Sequence, residues 1–238
     1  IDDESQYNPK LGITWQPFER TTIRAAGFQT LRGTLISDQT LEPTNVAGFN
    51  QFYDDIIGTK AKRYGGGIDQ KVGDRLFMGV EYSERELEVP YLSLDDGSVQ
   101  EEDATETLGR AYFFVTAHRM LALRLEYLDE QFESTGAIDL PVTLDTVRVP
   151  LTLSFFAPCG FSAAATGNYY DQEGDFVRID GTPVSAGDSF WTLDLSLSYR
   201  LSKRLGMISA GATNLLDEDF QYFDIDTRNP SVLPTRRM

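Results

Sequence analysis

Apolar and polar side chains alternate strictly along residues 191–200, with Trp191, Leu193, Leu195, Leu197 and Tyr199 on one side and Thr192, Asp194, Ser196, Ser198 and Arg200 on the other. A two-residue period marks a strand, because successive side chains leave opposite faces of the pleat. Residues 147–155 and 121–127 repeat the pattern, again with every charge confined to the second face. Read this way throughout, the chain predicts ten strands near 9–16, 21–32, 60–71, 75–85, 107–117, 121–130, 146–156, 161–170, 190–201 and 206–214. They form five hairpins with turns of about two to five residues, such as Val72-Gly73-Asp74 and Pro158-Cys159-Gly160, which carry residues that tight reversals favour. Longer connections are expected at 33–59, 86–106, 131–145, 171–189 and 215–238.

A soluble sandwich also alternates, with its apolar face in a core, so the placement of aromatics matters. Trp191 and Tyr199 lie eight residues apart on one face, as do Phe161 and Tyr169. At ~3.3 Å per residue and a tilt near 40°, that separation spans roughly 20 Å, close to the ~25 Å apolar band that aromatic girdles flank on a membrane barrel. The expected fold is therefore all-β: an antiparallel up-and-down transmembrane β-barrel, of which about ten strands of a larger, even-stranded whole are visible. Its girdle residues would be Trp15, Tyr82, Tyr127, Phe155, Phe161, Tyr169, Trp191 and Tyr199. Both ends of this segment fall on the long-loop side, whereas termini of bacterial barrels lie on the short-turn side. Residues 1–238 thus read as one barrel segment, the carboxy-terminal part of a longer chain, with 234–238 beginning a returning strand.

Charge sharpens the picture. A formal net charge of -16 makes nucleic acid an improbable partner, since phosphate binding needs clustered Lys and Arg. No run approaches the ~20 apolar residues of a helical span, and a mean hydropathy of -0.30 is no obstacle to a barrel, which hides its apolar residues by alternation. Between Glu81 and Glu106 ten carboxylates face the single base Arg85. The short turns instead carry Arg20, Lys71, Arg75, Arg119, Lys203 and Arg204, so the two ends of the sheet differ in sign.

The polar face collects Arg24, Arg63, Asp69, Glu81, Arg110, Arg124, Glu126, Arg148, Asp194 and Arg200. An Arg aimed at lipid near the midplane costs about 2–4 kcal/mol, so these residues are expected to line the lumen. Opposite signs on neighbouring strands could form a charge ladder there, or merely solvate a filled interior. Asp171, Glu173 and Asp175, and Asp217 to Asp219, offer oxygen ligands that Ca²⁺ would accept, but neither run fits a helix-loop-helix calcium pattern, so solvated acidic loops are the better reading and no cofactor is expected. His118, the sole histidine, lies in a basic turn without a serine–carboxylate partnership, and no enzymatic activity is expected. The run Gly65-Gly66-Gly67 inside a strand points to close packing or a bend. Cys159, the only cysteine, excludes an internal disulfide within these residues and reads as a small turn residue.

Three patches carry a family resemblance. Residues 8–17, Asn-Pro-Lys-Leu-Gly-Ile-Thr-Trp-Gln-Pro, resemble a strand and turn of the later barrel of TonB-dependent receptors; Leu41-Glu42-Pro43 sits where those proteins leave an extracellular loop; and 211–220, Gly-Ala-Thr-Asn-Leu-Leu-Asp-Glu-Asp-Phe, resembles their penultimate-strand motif, with Leu216 in place of the usual Phe. Nothing here resembles the family's plug or energy-coupling box. The stretch 40–55 also resembles barrels appended to tetratricopeptide-repeat proteins. The resemblance implies a Gram-negative outer-membrane location, with outer-membrane lipid, an unknown solute and a periplasmic energy-coupling or repeat partner. The leading expectation is a solute-uptake transporter or receptor whose long acidic loops form the external ligand surface; the alternatives are a passive or export pore fused to periplasmic repeats, and a soluble all-β binding module using Trp15, Trp191 and the tyrosines as platforms.

Overall fold

The computed structural model describes residues 6–33, 45–50, 55–93, 97–135, 141–177, 181–202 and 205–223. The strands are β1 (Lys10–Phe18), β2 (Thr21–Leu31), β3 (Asn45–Val46), β4 (Phe49–Asn50), β5 (Lys60–Val72), β6 (Leu76–Leu92), β7 (Val99–His118), β8 (Leu121–Ser134), β9 (Thr143–Phe156), β10 (Phe161–Val177), β11 (Pro183–Arg200) and β12 (Met207–Ala212). Ten of them form one antiparallel up-and-down sheet, each paired to its neighbour in the chain, in the order β1-β2-β5-β6-β7-β8-β9-β10-β11-β12. The short β3–β4 hairpin stands apart. No α-helix occurs among the described residues. Every expected strand is present, and the short turns fall where anticipated. Gly160 shows why one of them is fixed: it sits at φ 93°, and a Cβ there would lie 2.9 Å from the Arg200 carbonyl oxygen.

The sheet is inside-out by the standard of a soluble domain. Leu197 is 50 % exposed, whereas Glu126 on the opposite face is 3 % exposed. The register explains how the faces are assembled. Arg24 lies opposite Gly67 and Gly67 opposite Glu81; Glu81 lies opposite Arg110, and Tyr112 opposite Glu126. Thr152, Thr166 and Asp194 continue the same face across β9, β10 and β11. The other face carries Leu11, Ile13, Ile68, Val80, Leu125, Leu151, Leu153, Leu195 and Ile208, all exposed. Curvature shelters the polar face and leaves the apolar face outward.

All eight expected girdle aromatics lie on that exposed apolar face. Tyr82, Tyr127, Tyr169 and Trp191 share one side of the sheet toward the long connections, with Tyr169 and Trp191 rings 4.9 Å apart across β10 and β11. Phe155, Phe161 and Tyr199 lie toward the short turns, Phe161 opposite Tyr199. Trp15 belongs to the same short-turn end, opposite Ile23.

Two of the expected long connections, 86–106 and 171–189, are mostly strand, and 131–145 is strand at both ends. Residues 86–92 extend β6, 99–106 extend β7, 131–134 and 143–145 extend β8 and β9, and 171–177 with 183–189 extend β10 and β11. Alternation continues there with its phase inverted. Glu84, Glu86, Asp103, Asp129, Glu133 and Glu173 now occupy the outer face, while Ala61, Leu87, Val89, Ala104, Phe132 and Leu144 form a buried cluster on the inner one. Beyond the aromatic row both faces can meet water, so the ordinary rule of apolar side chains inward returns. Residues 1–5, 41–43, 203–204 and 224–238, on which some sequence expectations rested, lie outside the described residues.

Two glycines test the packing. A Cβ on Gly79 would meet the Ile68 carbonyl oxygen at 2.6 Å, whereas one on Gly109 finds its nearest neighbour at 3.7 Å. Gly79→Val is expected to cost about 1–3 kcal/mol through overpacking, and Gly109→Ala to be near neutral. Denaturant unfolding in micelles should separate the two midpoints.

Candidate functional site

The polar face is organised around Arg24, which projects from β2. Its Nε donates to Asp69 at 2.7 Å and its Nη2 to Glu81 at 2.9 Å. The second contact spans a whole strand, from β2 across β5 to β6. It is possible because the residue between them in the register is Gly67, whose missing side chain leaves room: a Cβ there would lie 3.1 Å from Arg24 Nη2. The Tyr112 hydroxyl donates to the far oxygen of Asp69, extending the network onto β7.

A second node is Glu126, 3 % exposed. Arg110 donates to it at 2.6 and 2.8 Å, and Arg124 donates to its other oxygen. Both guanidiniums also lie over rings, Arg110 over Tyr112 at 5.1 Å and Arg124 over Phe114 at 5.3 Å. Charge-assisted pairs of this kind hold their geometry better than neutral ones, and the rings add cation–π attraction.

The remaining predicted residues are dispersed along the face. Arg63 donates to Ser83 Oγ at 2.9 Å and to the Asn50 carbonyl at 2.8 Å. Arg148 reaches Glu130 at 3.9 Å. Asp194 accepts from Asn168 at 3.2 Å and from the Asn214 amide at 2.9 Å. Arg200 stands exposed at the short-turn end of β11. Arg24, Asp69 and Glu81 are thus brought together, as are Arg110, Arg124 and Glu126, while Arg63, Arg148, Asp194 and Arg200 join neither group.

Several participants escaped the sequence reading. Arg85 pairs with Asp55 at 2.6 Å and with Glu106 at 3.0 Å, but its run of acidic neighbours read as a loop. Tyr112 shares parity with Arg110, and that parity was the available signal. Residues 220–223 run back over the polar face: the Phe190 ring stacks on Phe220 at 4.3 Å, and Gln172 exchanges two hydrogen bonds with the Phe223 backbone. Between this strap and Arg63, Ser83 and Arg85 lies a cavity of about 220 Å³ floored by Phe132, Leu144 and Thr146.

Asp171, Glu173 and Asp175 do not form a loop; they lie along β10 with their side chains exposed. Among the described residues no three His, Cys, Asp or Glu side chains gather around a metal-sized point. His118 Nδ1 accepts from the Met120 amide at 3.3 Å within its turn, and Cys159 is exposed in another.

Comparison with known proteins follows the same geometry. No family model matches the chain, and no curated protein does. Among solved structures it is similar to the ferric-catecholate import receptor Fiu of E. coli K12, with a TM-score of 0.56 and 18 % identity. The shared feature is the fold. The similarity covers 89 % of this chain and 31 % of the receptor, so the chain spans about a third of that protein's length. The strand plan is that of a β-barrel wall.

Arg24→Met should leave Asp69 and Glu81 facing each other without a cation, costing about 3 kcal/mol or more. Replacing all three by Met, Asn and Gln removes the charges together and is expected to recover most of that loss. Unfolding midpoints of the single and triple variants check the order.

Proposed function

We propose that this chain forms part of the wall of an outer-membrane β-barrel that takes up a solute, with the sheltered polar face lining the lumen and the exposed apolar face meeting lipid. The observation that carries the reading is the inverted sheet: aliphatic side chains lie exposed between two rows of aromatics, while Arg24, Asp69, Glu81 and Glu126 are sheltered. Water-soluble sheets do the opposite, because exposing a continuous apolar face to water is unfavourable in proportion to its area. Lipid removes that cost, and it imposes another, since backbone groups in hydrocarbon must all be paired. β1 and β12 each have one unpaired edge among the described residues. Further strands on both edges therefore complete the barrel in this reading.

Uptake is favoured over export by the fold-level likeness to an import receptor. The strands continue beyond the aromatic row as a water-exposed collar, acidic outside and apolar within. That collar and the connections it carries supply the external surface on which a solute is first met. The solute passes along the ion-paired polar face.

Sidedness is tested at two neighbouring residues of β11. Leu195→Arg should cost about 2–4 kcal/mol of insertion stability, while Ser196→Arg is accommodated in water on the other face. Refolding into vesicles, read by heat-dependent gel mobility, measures both; equal losses would overturn the assignment of faces. For the full-length protein in cells, solute accumulation should collapse when the inner-membrane proton gradient is dissipated. Passage that survives it would indicate a passive pore.

A further inference from the structure

The connection between β2 and β5 contains a hairpin, 45–50, that turns inward onto the polar face. Its turn places Ala47 at φ 48° and Gly48 at φ 96°. A non-glycine residue in the left-handed region is strained and persists only where its surroundings over-determine it. Here they do. The Asn45 side chain accepts from the Gly48 amide at 2.9 Å and donates to Asn50 at 2.8 Å, closing the hairpin on itself. Arg24 Nη1 donates to the Ala47 carbonyl at 3.3 Å, and Arg63 Nη1 donates to the Asn50 carbonyl at 2.8 Å.

The wall beneath is shaped to receive it. Gly12, Ala26, Gly65 and Ser83 face one another in register across β1, β2, β5 and β6, making a shelf of small side chains on an otherwise charged face. Phe49 is 1 % exposed on this shelf. A Cβ on Gly65 would come within 2.3 Å of its ring, and one on Gly12 within 2.8 Å of Val46. The Arg24 guanidinium lies 5.4 Å from the ring centre on another side. Burying a phenylalanine this completely takes its whole ring out of solvent, so the hairpin has a specific seat.

We propose that this hairpin is the constriction that selects solutes along the polar face, with Phe49 as its plug and Arg24 and Arg63 as its anchors. The inference rests on the barrel reading above. The hairpin carries no charged side chain, yet its carbonyls engage two guanidiniums of the wall. It therefore both narrows the passage and masks positive charge at its narrowest part. Around it Arg24, Arg63 and Arg85 stand against Asp55, Asp69, Glu81 and Glu106. With two of the three arginines capped, the constriction disfavours anions and admits small neutral or cationic solutes. Without the hairpin, Arg24 and Arg63 face the lumen.

The test uses the full-length protein with Cys159→Ser. Gly12→Cys and Ala47→Cys together place two Cβ atoms about 3.0 Å apart, slightly inside the ~3.8 Å typical of a disulfide, so a bond should form on oxidation and appear as a cross-linked peptide by mass spectrometry. In planar bilayers in potassium chloride, replacing 45–50 by two glycines should raise conductance about twofold and move the reversal potential toward anion selectivity. The oxidised cysteine pair should keep the wild-type values. A folded, inserted barrel in which the cysteines do not join would overturn the proposal, as would a deletion that leaves conductance and reversal potential unchanged. A wild-type chain that fails to insert at all would instead overturn the barrel reading on which the proposal stands.

Discussion

A charged side chain on a strand surrounded by hydrocarbon has only one favourable direction, toward the face that lipid does not reach. In the proposed barrel that constraint accounts for the sorting of the charged residues between the aromatic rows. Once Arg24, Arg63, Arg110 and Arg124 are gathered on one curved face, their charges must be met by Asp69, Glu81, Glu126 or carbonyl oxygens nearby. Meeting them decides which neighbours must be small. Gly67 is empty so that Arg24 can reach Glu81, and Gly65 is empty so that Phe49 can lie flat. Two members of the glycine run in β5 thus answer to neighbours on the polar face, Gly67 to Arg24 and Gly65 to Phe49.

The same constraint made part of the fold readable in advance. Strand parity is a local property, so ten strands, their turns and the shared face of Trp15, Tyr82, Tyr127, Phe155, Phe161, Tyr169, Trp191 and Tyr199 followed from alternation alone. The upper strands were missed because the alternation of Glu86-Leu87-Glu88-Val89 reverses its meaning, its apolar residues turning to the inner face instead of the outer. A strand dense in carboxylates resembles a loop if one environment is assumed for its whole length. The grouping of Arg24 with Asp69 and Glu81 depended on register between strands, which the sequence specifies only indirectly. The seat of Phe49 was beyond reach for a stronger reason: residues 12, 26, 49, 65 and 83 meet only after four strands have paired.

The polar face is therefore neither uniformly charged nor uniformly open. Its short-turn end is ionic and aromatic, with Arg110 and Arg124 sharing Glu126 over Tyr112 and Phe114. Its other end is partly covered, by the inward hairpin on β1 to β6 and by residues 220–223 on β10 and β11. Both coverings are neutral segments held by polar side chains of the wall. Such covers can be remodelled one hydrogen bond at a time, whereas the ion pairs beneath them resist loss of any single partner.

The reversal of phase at the tyrosine row has a consequence for how deep the sheet can sit. Just past Tyr82 come Glu84 and Glu86; just past Tyr127 comes Asp129; just past Tyr169 come Asp171 and Glu173. In the proposed membrane setting, sliding the wall inward by one pleat repeat would carry a row of carboxylates into hydrocarbon, and sliding it outward would lift leucines into water. Each of β6, β8 and β10 thus carries its own waterline, written in the residues on either side of an aromatic ring. Strands that agree on that line also agree on their register, so vertical position and correct pairing are settled by the same few side chains.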